Sequence, residues 1–456
     1  MKNVLIVAAA GVLSLLAAGA SLFWALSGGG DAAWASLAVA VCSLFFNVSG
    51  AVYLSEGMKL EKNTRELKEY AGQVAVAIPV CNPKPAELEK CVKSARELEY
   101  FDDFGVFVLD DTEDSRYAKG VRELCGKLGA GYMHRGSRKG GKGGALNSFL
   151  QKTDADFIAI LDGDEIVRNR RFLLECMGHF GKKKVAFVQT NKECRGKGFF
   201  ERAANYTNAA FVNLIQPINS RKGVALFTGS CGIFRVSALR DVGGFPDSII
   251  EDIAVSLRLL WKGWGGEHVS KVYAIGGEVG SFGRFAEQHM RYICGLTNLL
   301  PQYFANIWKF PLEKKMILLV HSLGLHYVSL VQVIACAVAV YAALSGSFWG
   351  EIASFSYLFA SFMTLILLAK AYSGSVGVGA FAYLMNFSVA VPRLLSSAGA
   401  VLGLKLTGHL SLAFSAIVQL CVGGGLLWLS YAHGSVALLW WALLFLSNPV
   451  FLLWKK

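Results

Sequence analysis

The pattern of apolar and polar positions divides the chain into two kinds of sequence. Uncharged runs occupy residues 3–30, 32–55, 316–350, 352–369 and 406–454, apart from Asp31 and Glu351 between runs and Lys405 just before the last. Runs of that length suit helices that cross a bilayer. Residues 71–295 instead alternate short apolar runs with polar stretches. That spacing predicts strands at 74–80, 105–109, 157–161, 185–190 and 271–275, and helices at 86–98, 115–128, 253–260 and 285–295. Strands alternating with helices imply a parallel sheet covered on both faces. The run 157–161 reads Phe-Ile-Ala-Ile-Leu, as expected of a strand buried on both faces.

The charge pattern orients these pieces. Lys59, Lys62, Arg65 and Lys68 follow the second apolar run, which marks that side as cytoplasmic. The first run reads as a retained helix rather than a cleaved signal, because a second run follows it. Residues 371–408 are interrupted by Pro392, Arg393 and Lys405. They are expected to form a broken or interfacial helix, with one more span as the alternative. The resulting plan is two spans in 1–57, a soluble domain in 58–295, an interfacial helix in 296–315, and about four spans plus the broken segment in 316–456. Both termini and the soluble domain would be cytoplasmic. Composition agrees, with 54% hydrophobic residues and 17% charged. The net charge of +12 is accounted for by membrane flanks and one basic loop, so no nucleic-acid partner is expected. Ten cysteines form no CxxC pair, so neither a zinc site nor a disulfide framework is expected.

The chemistry-bearing residues cluster at predicted strand ends. The strand 105–109 runs into Asp110-Asp111, and the strand 157–161 runs into Asp162-Gly163-Asp164-Glu165. Open parallel sheets place ligands at the carboxyl ends of their strands. Two acids one residue apart there suit a divalent cation, and an Asp-Gly turn is the plain alternative. Between these strands lies a Gly-rich basic loop, residues 134–147, containing Arg138, Lys139 and Lys142. Gly136 to Lys142 fits G-x-x-x-x-G-K, but Gly143 stands where a magnesium-binding Ser or Thr is required, so a nucleotidase loop is not expected. The basic loop still suits a diphosphate. Farther on come Thr228-Gly229-Ser230, Gly243-Gly244-Phe245, Glu251-Asp252, and Gln288, Arg291 and Tyr292 on one helix face.

This ordered set resembles the membrane-integrated family 2 glycosyltransferases, the group of cellulose, chitin and hyaluronan synthases. The resemblance implies an α/β fold of GT-A type, a mixed, mostly parallel sheet set between transmembrane helices. It also implies a nucleotide-sugar donor, Mg²⁺ or Mn²⁺, and inversion at the anomeric carbon. Carried over by motif, Asp111 would contact the donor base, commonly uracil, and Lys142 the diphosphate. Asp162 would support the nucleotide sugar and Asp164 would hold the metal. Asp252 matches the catalytic base. Gln288 and Arg291 match the diphosphate contacts, while Tyr292, Thr228, Gly229, Ser230 and Glu251 fall at the acceptor. Tyr292 replaces a usual Trp, and Ile250 replaces a usual Thr. No cellulose-synthase-type gating loop or regulatory domain is evident.

Three readings follow. The first is a processive polysaccharide synthase, with His321, His326, Gln332, Asn386 and Gln419 either lining a translocation path or making helix contacts. The second keeps the chemistry but moves one sugar to a lipid acceptor such as a polyprenyl phosphate or a ceramide. The third, a binding protein on an inactive transferase fold, sits poorly with Asp164, Asp252 and Arg291 occurring together.

Overall fold

The computed structural model describes residues 70–348 apart from 197 and 278–279, then 350–352, 376–404 and 409–453, with parts of 12–44. The basic segment 59–68 and nearly all of the run 352–369 lie outside the described residues, and the first two apolar runs fall only partly within them.

The soluble part is built on a sheet of eight strands. These are β1 (Val74–Val80), β2 (Phe104–Asp110), β3 (Gly131–His134), β4 (Phe157–Ile160), β5 (Ile166–Val167), β6 (Val185–Glu193), β7 (Gly232–Arg235) and β8 (Gly265–Ile275). Their order is β3-β2-β1-β4-β7-β6-β8-β5. β3, β2, β1 and β4 are parallel, β7 is antiparallel to both neighbours, and β6 pairs β8 in parallel. The sheet is therefore mixed, as a GT-A fold requires. β1 explains the layering: its sequence Val-Ala-Val-Ala-Ile puts Val74, Val76 and Ile78 on one face, under helices α1 (Pro85–Arg96) and α2 (Ser115–Lys127). The small Ala75 and Ala77 face the other way and admit Leu146 and Phe149 of α3 (Gly141–Leu150).

That third helix is a departure from expectation. The basic loop ends at Gly140, and the Gly-Gly-Lys-Gly-Gly-Ala-Leu-Asn stretch from Gly140 onward is helical from Gly141. Glycine disfavours helix by about 1 kcal/mol per residue, yet Ala145, Leu146, Phe149 and Leu150 are buried on the sheet. Tertiary burial outweighs the propensity. Gly140 and Gly141 have φ of 73° and 53°, a left-handed entry that suits glycine.

The later helices are α4 (Glu251–Trp261), α5 (Phe282–Asn306), α6 (Leu312–Ser345), α7 (Val376–Ser388), α8 (Ala390–Val401), α9 (His409–His433) and α10 (Val436–Leu453). No separate interfacial helix occupies 296–315. α5 continues through Pro301 to Asn306 because Leu296, Leu299 and Tyr303 bury against Ile253 and Leu257 of α4. A short 3-10 turn, Ile307–Lys309, then leads to α6. Among the described residues three stretches are long and apolar enough to cross a membrane: Leu312–Ser345, Ala380–Val401 and Ser411–His433. The 371–408 segment thus combines both expectations, a break at Val389 and a span-length apolar stretch. His326 bonds Thr297, Asn386 accepts from Arg393 and Gln419 donates to the Ser388 carbonyl, while His326 Nδ1 and Gln419 Oε1 are buried with no hydrogen-bond partner among the described residues.

One side chain clips the domain together. Asn147 Nδ2 donates to the Phe245 carbonyl at 2.8 Å, and its Oδ1 accepts from the Phe245 N–H at 2.8 Å. Phe245 is buried, so Asn147→Ala strands two backbone groups. The expected cost is about 2 kcal/mol, or a fall in thermal midpoint of about 5 °C. Circular dichroism of the solubilised protein measures it, and an unchanged midpoint would remove the clip from the account.

Candidate active site

The acids at the strand ends do different jobs. Asp110, fully buried, accepts from the Thr112 N–H at 2.9 Å and the Tyr132 hydroxyl at 2.8 Å, so it finishes the strand. Asp111 turns to the rim, where Arg135 grips it, Nε donating to Oδ1 at 2.7 Å and Nη2 to Oδ2. Arg135 also donates to the carbonyls of Lys139 and Gly141, at 3.2 and 3.3 Å. One guanidinium thereby fastens Asp111 to the basic loop. The loop delivers Lys142 at the start of α3, and its ammonium pairs with Asp162 Oδ1.

Asp162 opens a tight acid turn after β4. The Glu165 N–H donates to the Asp162 carbonyl at 2.9 Å, and the Asp162 N–H donates to Glu165 Oε2 at 2.9 Å. Glu165 is completely buried. Its other oxygen accepts from Lys192 Nζ at 2.8 Å and from the Ser230 hydroxyl at 2.6 Å. Lys192 also donates to Ser230 Oγ at 2.7 Å and lies 3.6 Å from Asp162 Oδ2. Burial alone would raise Asp162, but Lys142 and Lys192 together hold it well below the usual carboxylate range. Burial would likewise lower Lys192, yet Glu165 and Asp162 outweigh it and hold the ammonium well above an ordinary lysine.

The turn 228–231 is shaped by β6. Gln189 Oε1 accepts from the Thr228 N–H at 2.8 Å, Gln189 Nε2 donates to the Ser230 carbonyl at 3.0 Å, and Thr190 Oγ1 donates to the Cys231 carbonyl at 2.7 Å. These bonds hold Cys231 at φ 53° and Gly229 at φ 95°. A methyl group at Gly229 would lie 3.4 Å from Asp252 Oδ2, so this turn faces the Asp252 carboxylate directly.

Asp252 sits in the first turn of α4, half-buried, with its Oδ1 accepting from the Ile253 N–H at 2.8 Å. Burial, reinforced by the neighbouring Glu251 carboxylate, pushes its pKa up to about 7. Glu251 packs against the start of α3, within 3.4 Å of where a side chain at Gly143 would begin. Ile250, just before it, is buried against Gly295 of α5, a close approach that a bare glycine allows. α5 brings Tyr292 into the same electrostatic environment: Asp252 first, then burial, raise its phenol well above the ordinary value. Gln288 and Arg291 lie on the same helix, and among the described residues their side chains make no hydrogen bond or ion pair. One residue after Gln288, His289 Nδ1 accepts from Arg393 of α8 at 2.7 Å, which places the ring proton on Nε2. Arg393, 1% exposed, also donates to Asn386 Oδ1 at 3.1 Å.

The residues fit a divalent cation that arrives with a phosphate. Among the described residues no cluster of three or more His, Cys, Asp or Glu side chains is arranged to hold an ion alone. Asp162 is committed to two lysines. Asp164 is half-buried at the same rim, with no side-chain partner among the described residues, and its carbonyl accepts from Arg195. One carboxylate completed by substrate phosphates is a common way of binding Mg²⁺.

The structure thus brings Lys142, Asp162, Ser230, Gly229, Asp252, Glu251 and Tyr292 into one neighbourhood. Sequence reasoning missed Arg135, Glu165, Gln189 and Lys192. Glu165 was visible as a third acid in its turn, and Lys192 as a charge closing a strand, but neither signal named a partner.

The family model described as glycosyl transferase family group 2 matches residues 157–454. The cellulose synthase catalytic subunit of Pseudomonas fluorescens (strain SBW25) is 29% identical over 235 residues, 50% of this chain and 31% of that protein. Cellulose synthase 1 catalytic subunit of Komagataeibacter xylinus is 31% identical over 206 residues, 43% of this chain and 27% of that protein. A probable glucomannan 4-beta-mannosyltransferase of Oryza sativa subsp. japonica is 28% identical over 296 residues, 59% of this chain and 49% of that protein. The chain therefore spans between about a quarter and a half of the length of these relatives. The structure of a mannosyltransferase from Pyrobaculum calidifontis, in complex with GDP-Man and Mn²⁺, superposes with a TM-score of 0.55 at 18% identity, covering 85% of this chain and 99% of that one, and shares the fold. Since the family model takes in well over half of the chain, this protein belongs to glycosyl transferase family group 2.

Proposed function

We propose that the protein is a membrane-embedded inverting glycosyltransferase that moves a sugar from a nucleotide-sugar donor, a UDP-sugar, onto a polysaccharide. The observation that carries this reading is the Asp252 carboxylate facing the 228–230 turn, in the electrostatic reach of Lys142, which pairs with Asp162, and with its pKa raised by burial to about 7. In the same reading residues 1–57 supply two spans, 58–295 the cytoplasmic catalytic domain, and 316–456 about four spans, with both termini cytoplasmic.

Asp111, steadied by Arg135, would meet the donor base. Lys142, Gln288 and Arg291 would hold the diphosphate, and Asp162 the nucleotide sugar. Asp164 would hold Mg²⁺ or Mn²⁺, which supplies charge neutralisation to the diphosphate. Thr228, Gly229, Ser230 and Glu251 would line the acceptor, and Tyr292 would stack on its terminal ring. The acceptor hydroxyl is a weak nucleophile, so Asp252 takes its proton as the oxygen attacks the anomeric carbon. The bond to the diphosphate breaks on the opposite side, its electron pair leaving with the phosphate, and Lys142 and Arg291 stabilise that charge. Attack from the opposite side inverts the centre in one step.

Purified protein in lipid, incubated with labelled UDP-sugars, GDP-mannose and Mn²⁺ or Mg²⁺, should release nucleoside diphosphate and build polymer, resolved by size. A single sugar on lipid would transfer the same chemistry to a lipid acceptor, and absence of turnover and of donor binding would remove the enzyme reading. Asp252→Asn should lower transfer by at least about 10²-fold while leaving metal-dependent UDP binding within about threefold of native. Loss of UDP binding with transfer retained would displace Asp252 from the base role. The base acts only when deprotonated, so kcat/KM should rise with pH and level off above an acid limb near about 7. A profile flat from pH 5.5 to 8 would contradict the assignment.

A further inference from the structure

Lys192 is a charged side chain that touches both the acid turn after β4 and the turn before β7. Its ammonium bonds Glu165 and Ser230, at 2.8 and 2.7 Å, and stands 3.6 Å from Asp162. Glu165 closes the loop, since it also binds the Asp162 N–H and the Ser230 hydroxyl. Three separate segments meet in this network: the acid turn after β4, the end of β6, and the turn before β7. The first carries the donor-side Asp162, and the last carries Gly229 and Ser230 on the acceptor side.

We propose that Lys192 is a positioning residue that sets the separation between the bound donor and the acceptor hydroxyl. The inference rests on the transferase reading and adds a role to a residue outside its motifs. The physical case has three parts. Glu165 is completely buried, and a buried carboxylate holds its place only with a partner. The ammonium has three donors, so it can bind Glu165 and Ser230 and still face Asp162. The 228–231 backbone is in a sparsely populated conformation, with Cys231 at φ 53°, which persists only when its surroundings determine it. Gln189 and Thr190 hold the backbone of that turn, and Lys192 holds its side chain at Ser230.

Loss of this tie leaves Lys142, Gln288 and Arg291 in place, and Asp162 still paired with Lys142, but lets the acceptor turn drift. A displacement of about 1 Å can cost on the order of 10²-fold in rate. In Lys192→Met the dissociation constant for UDP with Mn²⁺ should stay within about threefold of native, while kcat at saturating donor falls about 10²-fold. The ratio of donor hydrolysis to transfer should rise about tenfold, because water can enter where the acceptor is misplaced. Lys192→Met strands Glu165, so the double variant Lys192→Met, Glu165→Gln separates folding from positioning. It should regain the native thermal midpoint and keep the raised hydrolysis ratio. Lys192→Arg should recover part of the rate. Native rate and ratio in the folded double variant would overturn the proposal. Loss of UDP binding in step with rate would also overturn it, making Lys192 a donor ligand. If the native protein turns over no donor at all, it is the transferase reading that fails.

Discussion

The balance of charge at the turn after β4 constrains everything around it. Asp162, Asp164 and Glu165 put three carboxylates within four residues, and Glu165 is fully buried. Such a turn is stable only if cations are brought to it from elsewhere in the chain. Lys142 arrives from the start of α3 and Lys192 from the end of β6. The same pairs that make the acids tolerable fix where α3 begins and β6 ends, and hence where the basic loop and the turn before β7 lie. Stability and geometry are one requirement here.

Two carboxylates of the candidate site are then pushed in opposite directions. Asp162 lies between two lysines and is held ionised far below the usual range. Asp252 is half-buried beside the Glu251 carboxylate, and burial first, then that neighbour, raise it to about 7. Environments that separate two acids in this way divide labour between them. One remains a fixed negative charge at every working pH; the other can take and release a proton.

Much of this was legible in the sequence because it depends on local pattern. The buried strand 157–161, the acid turn after it and the Glu251-Asp252 helix start are all written in consecutive residues. What was not legible depends on partners distant in sequence. Nothing near Lys192 points to Glu165, 27 residues away, or to Ser230, 38 residues away. Arg135 looked like one more charge in a basic loop, yet it grips Asp111. Local rules misled where tertiary contact outweighed them, as in the Gly-rich stretch that became α3. They misled again over 296–315, where α5 runs on through Pro301 to Asn306 because Leu296, Leu299 and Tyr303 bury against α4. The Tyr292 and Ile250 departures also gained a setting: Ile250 fills space that Gly295 leaves open.

Arg393 carries a consequence for how the protein is made. It lies in an apolar stretch long enough to cross a membrane, is 1% exposed, and its hydrogen-bond partners among the described residues are the neutral His289 and Asn386. A translocon charges roughly 2.5–3.5 kcal/mol for an arginine at the centre of a lone inserted helix. His289 belongs to α5, which is complete before α8 leaves the ribosome. In a bilayer the stretch from Ala380 to Val401 is better seated against α5 than inserted alone, which favours an order of assembly: α5 first, the arginine-bearing segment after it.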